Sequence, residues 1–273
     1  MGRQQEAEKT SALAHRFSVA QMVAREAGVL AQSFLADRSK LSVELKGPQD
    51  FVTEADRAVE RLIVQQLSTA FPEDSLVGEE GFGNTTTVNS DAVWVIDPID
   101  GTANFVQGRN EWCVSIGLVY HNRPALGVVY HPSSDEIYAA RRGHGATRNG
   151  VPIQVSGRAS ISESTIALEY SPRTLIFTHL AQVEALLSQG GEYRRNGSAA
   201  LSLAYVSDGR FDGYIEYDIY LWDVLAGLVL VTEAGGWTSD FSVEVDFRRG
   251  QSLVAGTPGI QDQLITVMKS EQC

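Results

Sequence analysis

Trp94-Val95-Ile96-Asp97-Pro98-Ile99-Asp100-Gly101-Thr102 decides how this chain is read. An apolar run of buried-strand type leads into two carboxylates three residues apart, which bracket a proline and precede Gly-Thr. Pro98 cannot donate to a ladder, so a regular strand is not expected to pass through it, and Gly101 permits close backbone approach to a ligand. A helix turn starting at Gly101-Thr102 would aim free N–H groups at an anion beside both aspartates. Bare carboxylates would repel a phosphate there by roughly 4 kcal/mol for each unit-charge contact at 4 Å and an effective dielectric near 20. Divalent cations reverse that sign, and hard oxygen donors without histidine or thiolate favour Mg²⁺. Alone, the stretch also reads as a strand-ending turn, because Asp, Pro and Gly are turn formers.

Three further segments add acids. Gly78-Glu79-Glu80-Gly81 follows the short run Ser75–Val77, whose end could aim one glutamate inward. Leu221-Trp222-Asp223-Val224 places one acid at the start of an otherwise apolar helix, where the helix dipole alone would also favour it. Asp50-Phe51-Val52-Thr53-Glu54-Ala55-Asp56 contains Thr-x-x-Asp, a capping-box variant, so Asp56 reads as a helix cap as well as a functional acid.

Around these segments the pattern is mixed α/β. Leu13, Phe17, Ala20, Val23, Ala27, Leu30 and Phe34 form one apolar stripe on a helix over residues 10 to 37, and a second helix begins near Thr53 and stops before Pro72. Strand-like runs follow at Val93–Ile96, Val114–Tyr120, Ala125–Tyr130 and Glu136–Ala140, separated by turn signals such as Asn149-Gly150. Later come a strand at Ile166–Glu169, helices over Thr174–Leu187 and Ser198–Val206, a strand at Tyr214–Glu216, a helix over Leu221–Glu233, a strand at Leu253–Ala255 and a last helix over Ile260–Lys269. No linker or repeat divides the chain. One domain over residues 1–273 is expected, with a soft division near 160 between a metal-site half (1–160) and a substrate half (161–273).

Composition removes several function classes. The 273 residues carry 22 Lys plus Arg against 34 Asp plus Glu, a net charge of −12, which speaks against a nucleic-acid footprint and a polybasic membrane anchor. The longest apolar stretch considered, Val224 to Val231, is too short to span a bilayer, and the first twenty residues lack the apolar core of a signal peptide. Two cysteines, Cys113 and Cys273, give no disulfide framework, so a reducing cytoplasm is expected. No histidine pair has zinc-binding spacing, and neither a G-x-S-x-G elbow nor a Walker loop occurs. Gly143-His144-Gly145-Ala146-Thr147-Arg148 imitates the start of a dinucleotide fingerprint, but Arg148 stands where the last glycine belongs, and a tight turn is the reading.

Asp50–Asp56, Gly78–Glu80, Asp97–Thr102 and Trp222–Gly236, in this order and spacing, resemble the inositol monophosphatase family of lithium-sensitive, Mg²⁺-dependent phosphatases. Gly143–Ala146 with Asn149-Gly150, and Gly197–Ala200, fit as well. The resemblance implies a layered α-β-α-β-α sandwich of the inositol monophosphatase/fructose bisphosphatase type. It also implies two or three Mg²⁺ ions. Glu79, Asp97 and the Ile99 carbonyl would hold the first; Asp97 would bridge to a second, completed by Asp100 and Asp223; Glu79 would reach a third through water. Gly101 and Thr102 amides would grip the phosphate, and an Asp56–Thr102 dyad would deprotonate the attacking water. Gly197, Ser198, Ala199 and Glu216 would meet the leaving alcohol, with Asp100 and Asp223 close to it. Lys46 stands for a lysine of relatives but one residue nearer Asp50, and Gly81 replaces a common serine. Inositol monophosphate is the leading substrate; histidinol phosphate, fructose 1,6-bisphosphate and 3′-phosphoadenosine phosphate are alternatives. A phosphatase-like scaffold that binds macromolecules is the alternative of another class. A homodimer, lithium sensitivity, no membrane and no nucleic acid complete the expectations.

Overall fold

The computed structural model describes residues 2–37, 41–47, 50–81, 90–243 and 249–270. The chain begins with α1 (Gly2–Ala36), the hairpin β1 (Val43–Gly47) and β2 (Asp50–Thr53), then α2 (Glu54–Ala70), β3 (Ser75–Gly78), β4 (Ala92–Asp100) and the short α3 (Thr102–Gln107). A meander follows: β5 (Cys113–Tyr120), β6 (Pro124–His131), β7 (Glu136–Arg141), β8 (Ala146–Arg148) and β9 (Val151–Ile153). The remainder is β10 (Thr165–Leu168), α4 (Ile176–Ser188), β11 (Glu192–Arg194), α5 (Ala199–Ser207), β12 (Gly213–Ile219), α6 (Leu221–Glu233), β13 (Trp237–Thr238), β14 (Gln251–Gly256) and α7 (Gln261–Met268). The longer elements match the sequence expectation closely, α6 to the residue. The first helix starts at Gly2 rather than residue 10.

β3 to β9 form a seven-stranded sheet in sequence order, with β3 parallel to β4 and the rest antiparallel. A five-stranded sheet runs β11-β10-β12-β14-β13. Side-chain alternation builds the layers. Trp94 and Ile96 of β4 pack with Val23, Ala27, Val59 and Ile63 of α1 and α2. Val93 and Val95 point the other way, to Leu203 of α5 and Val224, Leu225 and Leu228 of α6. Those helices also meet Tyr214 and Leu253 of the five-stranded sheet. Its far face, Ile166, Ile215 and Val254, packs on Leu186 of α4 and Leu264 and Val267 of α7. The order is therefore α-β-α-β-α, as the family resemblance implied.

β4 departs from the expectation at Pro98. The strand continues to Asp100, but its pairing with β5 shifts register between Asp97 and Asp100. Residues three apart in a regular strand face opposite sides; this irregularity cancels the alternation. Asp97, in phase with Val93 and Val95, and Asp100, paired with Cys113, both face the α5–α6 layer, while Ile99 packs with the α1–α2 layer. The proline does not end the strand. It puts two aspartates on one face.

Candidate active site

Glu79 and Asp100 sit where strands end, Asp56 and Asp223 where helices begin, and Asp97 lies within β4. Glu79 follows β3, its amide donating to the Ile96 carbonyl at 3.2 Å, so the parallel pairing sets it beside Asp97. Asp223 is the third residue of α6, and its Oδ2 accepts from the Tyr220 amide at 3.0 Å. Asp97, Asp100 and Asp223 each offer one oxygen, and the three oxygens lie within 4.8 Å of one another. Glu79 is outside that triple, but its charge helps hold the Asp97 and Asp223 carboxyls well above the ordinary carboxylate range. Burial is the larger cause for both, and Asp100 adds to it. Desolvation also raises Asp100, opposed by donors from Ser198, Ala200, Ala199 and Cys113.

These donors come from the start of α5. Ser198 Oγ and the Ala200 amide each donate to Asp100 Oδ2 at 2.6 Å, and the Ala199 amide donates to Oδ1 at 3.3 Å. Cys113 Sγ is 3.7 Å from the same Oδ2. Cys113 is a buried free thiol, pushed up by burial and Asp100, so it adds no thiolate; Cys273 lies outside the described residues. The donor set is hard oxygen held at like-charge distance. That suits a divalent cation such as Mg²⁺ and offers little to zinc or copper.

Asp56, fully buried at the start of α2, faces two ways. Oδ2 accepts from the Thr53 amide at 2.8 Å and from the Thr53 hydroxyl, closing the capping box. Oδ1 lies 3.2 Å from Thr102 Oγ1, which also reaches the Ile99 carbonyl at 3.0 Å. Burial pushes the Asp56 carboxyl up to about 6, against the pull of the threonine donors. Gly101 caps α3 with φ +94°, so the helix turn starts where the sequence placed it.

Glu216 faces the α5–α6 layer from β12, on the same side as Tyr214. Tyr214 Oη donates to it at 2.5 Å, and burial plus the nearby Glu169 push it up to about 8. Gly197 and Ser198 lead into α5 beside Asp100. Three buried groups escaped the sequence reading. Glu169 accepts from the Asn196 and Gly197 amides at 2.9 and 3.1 Å. Asn104 donates to the Glu111 and Asn196 carbonyls, both at 2.7 Å. Glu60 accepts from the Glu80 amide at 2.8 Å. Glu60 and Asn104 each interrupt an apolar helix face, a signal that was available; Glu169 ends a strand and carried none. The Lys46 side chain lies outside the described residues.

Layers and acid cluster together define a mixed α/β protein with a candidate cation site where its central helices meet its larger sheet. The profile described as the inositol monophosphatase family matches residues 12–272, and the chain belongs to that family. A Nus factor SuhB from Pseudomonas aeruginosa is 37% identical over 257 residues, covering 92% of this chain and 95% of the relative. The crystal structure of extragenic suppressor protein suhB from Bartonella henselae superposes with a TM-score of 0.85 at 34% identity, covering 92% of this chain and 97% of that one. An inositol monophosphatase from Anabaena (Nostoc) sp. superposes at 0.79 with 33% identity, covering 94% and 96%.

Proposed function

We propose that this protein hydrolyses the phosphate monoester of a small polyol, inositol monophosphate first among them, with Mg²⁺ at the acid cluster. The convergence of Asp97, Asp100 and Asp223 to within 4.8 Å carries this reading. Glu79, Asp97 and the Ile99 carbonyl would hold one ion; Asp97, Asp100 and Asp223 a second; Glu79 a third through water. The cations would supply neutralisation of the phosphate and of its entering and departing oxygens.

The remaining chemistry belongs to the chain. Gly101 and Thr102 amides, at the start of α3, would receive the phosphate oxygens. When Thr102 gives its one hydroxyl proton to Asp56 Oδ1, a lone pair is left to orient water and accept its proton. Asp56 Oδ2 is occupied by Thr53, so the carboxylate cannot turn away. Glu216 would accept hydroxyl hydrogen bonds from the leaving alcohol, flanked by Gly197, Ser198 and Ala199. Lithium inhibition and cytoplasmic residence belong to the same reading, as does a homodimer. The start of α4 supports the dimer, because it leaves Leu175, Ile176, Phe177 and Leu180 exposed at 75, 47, 64 and 47%.

A phosphate-release screen with and without Mg²⁺ tests the reading against inositol 1-phosphate, histidinol phosphate, fructose 1,6-bisphosphate and 3′-phosphoadenosine phosphate. Mg²⁺-dependent release, fastest from inositol 1-phosphate, is expected; no release from any ester with Mg²⁺ present overturns it. The relatives named Nus factor SuhB favour a second reading, a scaffold that binds macromolecules with catalysis incidental. The −12 charge points such a role toward protein surfaces rather than bare nucleic acid. An Asp97→Asn protein that fully replaces the unmodified one in its cell would favour that reading.

A further inference from the structure

Glu169 stands at the end of β10, 5% exposed, and none of the roles above uses it. Its amide continues the parallel ladder to the Ile215 carbonyl at 3.0 Å, which fixes the backbone. Its carboxylate then takes three donors. Oε1 accepts from the Asn196 amide at 2.9 Å and from Ser202 Oγ at 3.0 Å, and Oε2 accepts from the Gly197 amide at 3.1 Å. From the opposite side, Asn104 of α3 donates to the Asn196 carbonyl at 2.7 Å. Residues 196–198 are thus a strap, with two amides on one buried carboxylate and a carbonyl on the helix that starts at Thr102. Charge-assisted hydrogen bonds donated to a desolvated carboxylate fix geometry more tightly than neutral ones. The far end of the strap meets Asp100 through Ser198, but Asp100 also keeps the Ala199 and Ala200 amides of α5, so its place does not depend on Glu169, whereas Glu216 lies close enough to Glu169 to be pushed up by its charge.

We propose that Glu169 is a positioning residue for the leaving alcohol: it holds Asn196–Ser198 in the shape that faces the departing group, and so governs KM for that group rather than cation binding. This deepens the phosphatase reading and rests on it.

Glu169→Gln tests the proposal at nearly constant volume, because an amide group then meets an N–H where a carboxylate oxygen stood. Glutamine keeps one oxygen, best placed toward Asn196 and Ser202, so amide hydrogen exchange at Gly197 is expected to speed up about tenfold, the usual scale for a lost charged acceptor, and at Asn196 by less. KM for inositol 1-phosphate is expected to rise about tenfold, while KM for 4-nitrophenyl phosphate, whose leaving group has no polyol, and the half-saturating Mg²⁺ concentration move less than about twofold. Ser202→Ala, which removes one donor to Glu169 and leaves its carboxylate intact, should move KM the same way by less, and it carries the comparison if Glu169→Gln does not fold. Unchanged exchange overturns the proposal, as does an equal KM rise for both esters or a parallel shift in Mg²⁺ dependence. Faster exchange in a protein whose unmodified form cleaves neither ester instead sinks the phosphatase reading, and the KM claim with it.

Discussion

Thr102 Oγ1 lies 3.2 Å from Oδ1 of Asp56, while Oδ2 of the same carboxylate closes the N-terminus of α2 through Thr53. The cap and the Thr102 contact are therefore not rivals at this residue, since each takes its own oxygen. Asp223 likewise combines a cap with the acid cluster, its Oδ2 accepting from the Tyr220 amide and its carboxylate belonging to the acid triple. Under the proposed function, Thr102→Ala would remove the proton relay and leave the acid cluster in place. Turnover should fall by about 10²-fold or more, the usual worth of a general base, with the Mg²⁺ requirement little changed. Titrating activity with Mg²⁺ checks this; an unchanged rate with a weakened Mg²⁺ response would take Thr102 out of the water-activating role.

Asp97 faces both Asp100 and Asp223, and its neutralisation separates catalysis from folding. Asp97→Asn should abolish phosphate release even at saturating Mg²⁺. The melting temperature without metal should stay level or rise, because a buried like-charge contact is relieved. Paired phosphate-release and thermal-melt measurements decide it, and full activity of the variant would count against the assignment.

The acid cluster also fixes how metal-free stability depends on pH. Asp56 titrates near 6 and Glu216 near 8, with Asp97 and Asp223 also raised, so over this range the folded state binds more protons than the unfolded chain. Their contribution is complete below the ordinary carboxylate range and is lost as pH rises through the folded values. His131 and His179 are lowered by burial and act in the opposite sense, but only below the ordinary histidine value of about 6.5. Glu136, held down to about 2 mainly by Arg210, is ionised throughout. In chelator, the melting temperature should therefore fall between about pH 6.5 and 8.5, and added Mg²⁺ should raise it more at the upper end. A flat or rising melting temperature in chelator would mean that the cluster is not strained by its own charge.

Much of this was legible in the sequence for a physical reason. Trp94, Ile96 and Val95 announce a strand buried on both faces, and the stripes of α1 and α2 announce what covers one of them. Asp97 and Asp100 stand out in the sequence as a candidate site, but the register shift that turns both to one side does not, because it depends on pairing with β5. The short strands β8, β9, β11 and β13 have three residues or fewer and little periodicity to read. The glycine turn is legible as a turn, but its occupant is not. The amides of Gly143 and Gly145 each donate to the Glu233 carboxylate at 2.8 Å, a partner almost ninety residues away in the chain. Glu169 was invisible for the same reason: three donors on one carboxylate are a tertiary fact.

α4 presents Phe177 at 64% exposure among Leu175, Ile176 and Leu180. If a second copy covers this patch, Phe177→Glu should convert a dimer into a monomer, since an unpaired charge buried in an interface costs several kcal/mol. Size-exclusion chromatography with light scattering reads the mass directly. A protein that is monomeric without the substitution, or a variant that stays dimeric, removes α4 from the interface.

Gly101 joins the strand that carries Asp97 and Asp100 to the helix that, on the proposed function, would receive phosphate. Its φ is +94°, and an added Cβ would stand 2.8 Å from the Glu111 carbonyl oxygen and 3.1 Å from that of Gly197. Both contacts are backbone, so neither can swing aside. Gly145 makes a matched control, with φ +77° and nothing within 4 Å of its notional Cβ. Gly145→Ala should then show left-handed backbone strain alone, about 1 to 2 kcal/mol, with activity intact. Gly101→Ala adds the clash and must move the loop that bears Thr102, so its melting temperature should drop further and its turnover should fall well beyond what the lost stability explains. Equal melting temperatures for the two variants would mean that the approach of Glu111 and Gly197 to Gly101 costs nothing. A Gly101→Ala enzyme with normal turnover would free the phosphate from the start of α3.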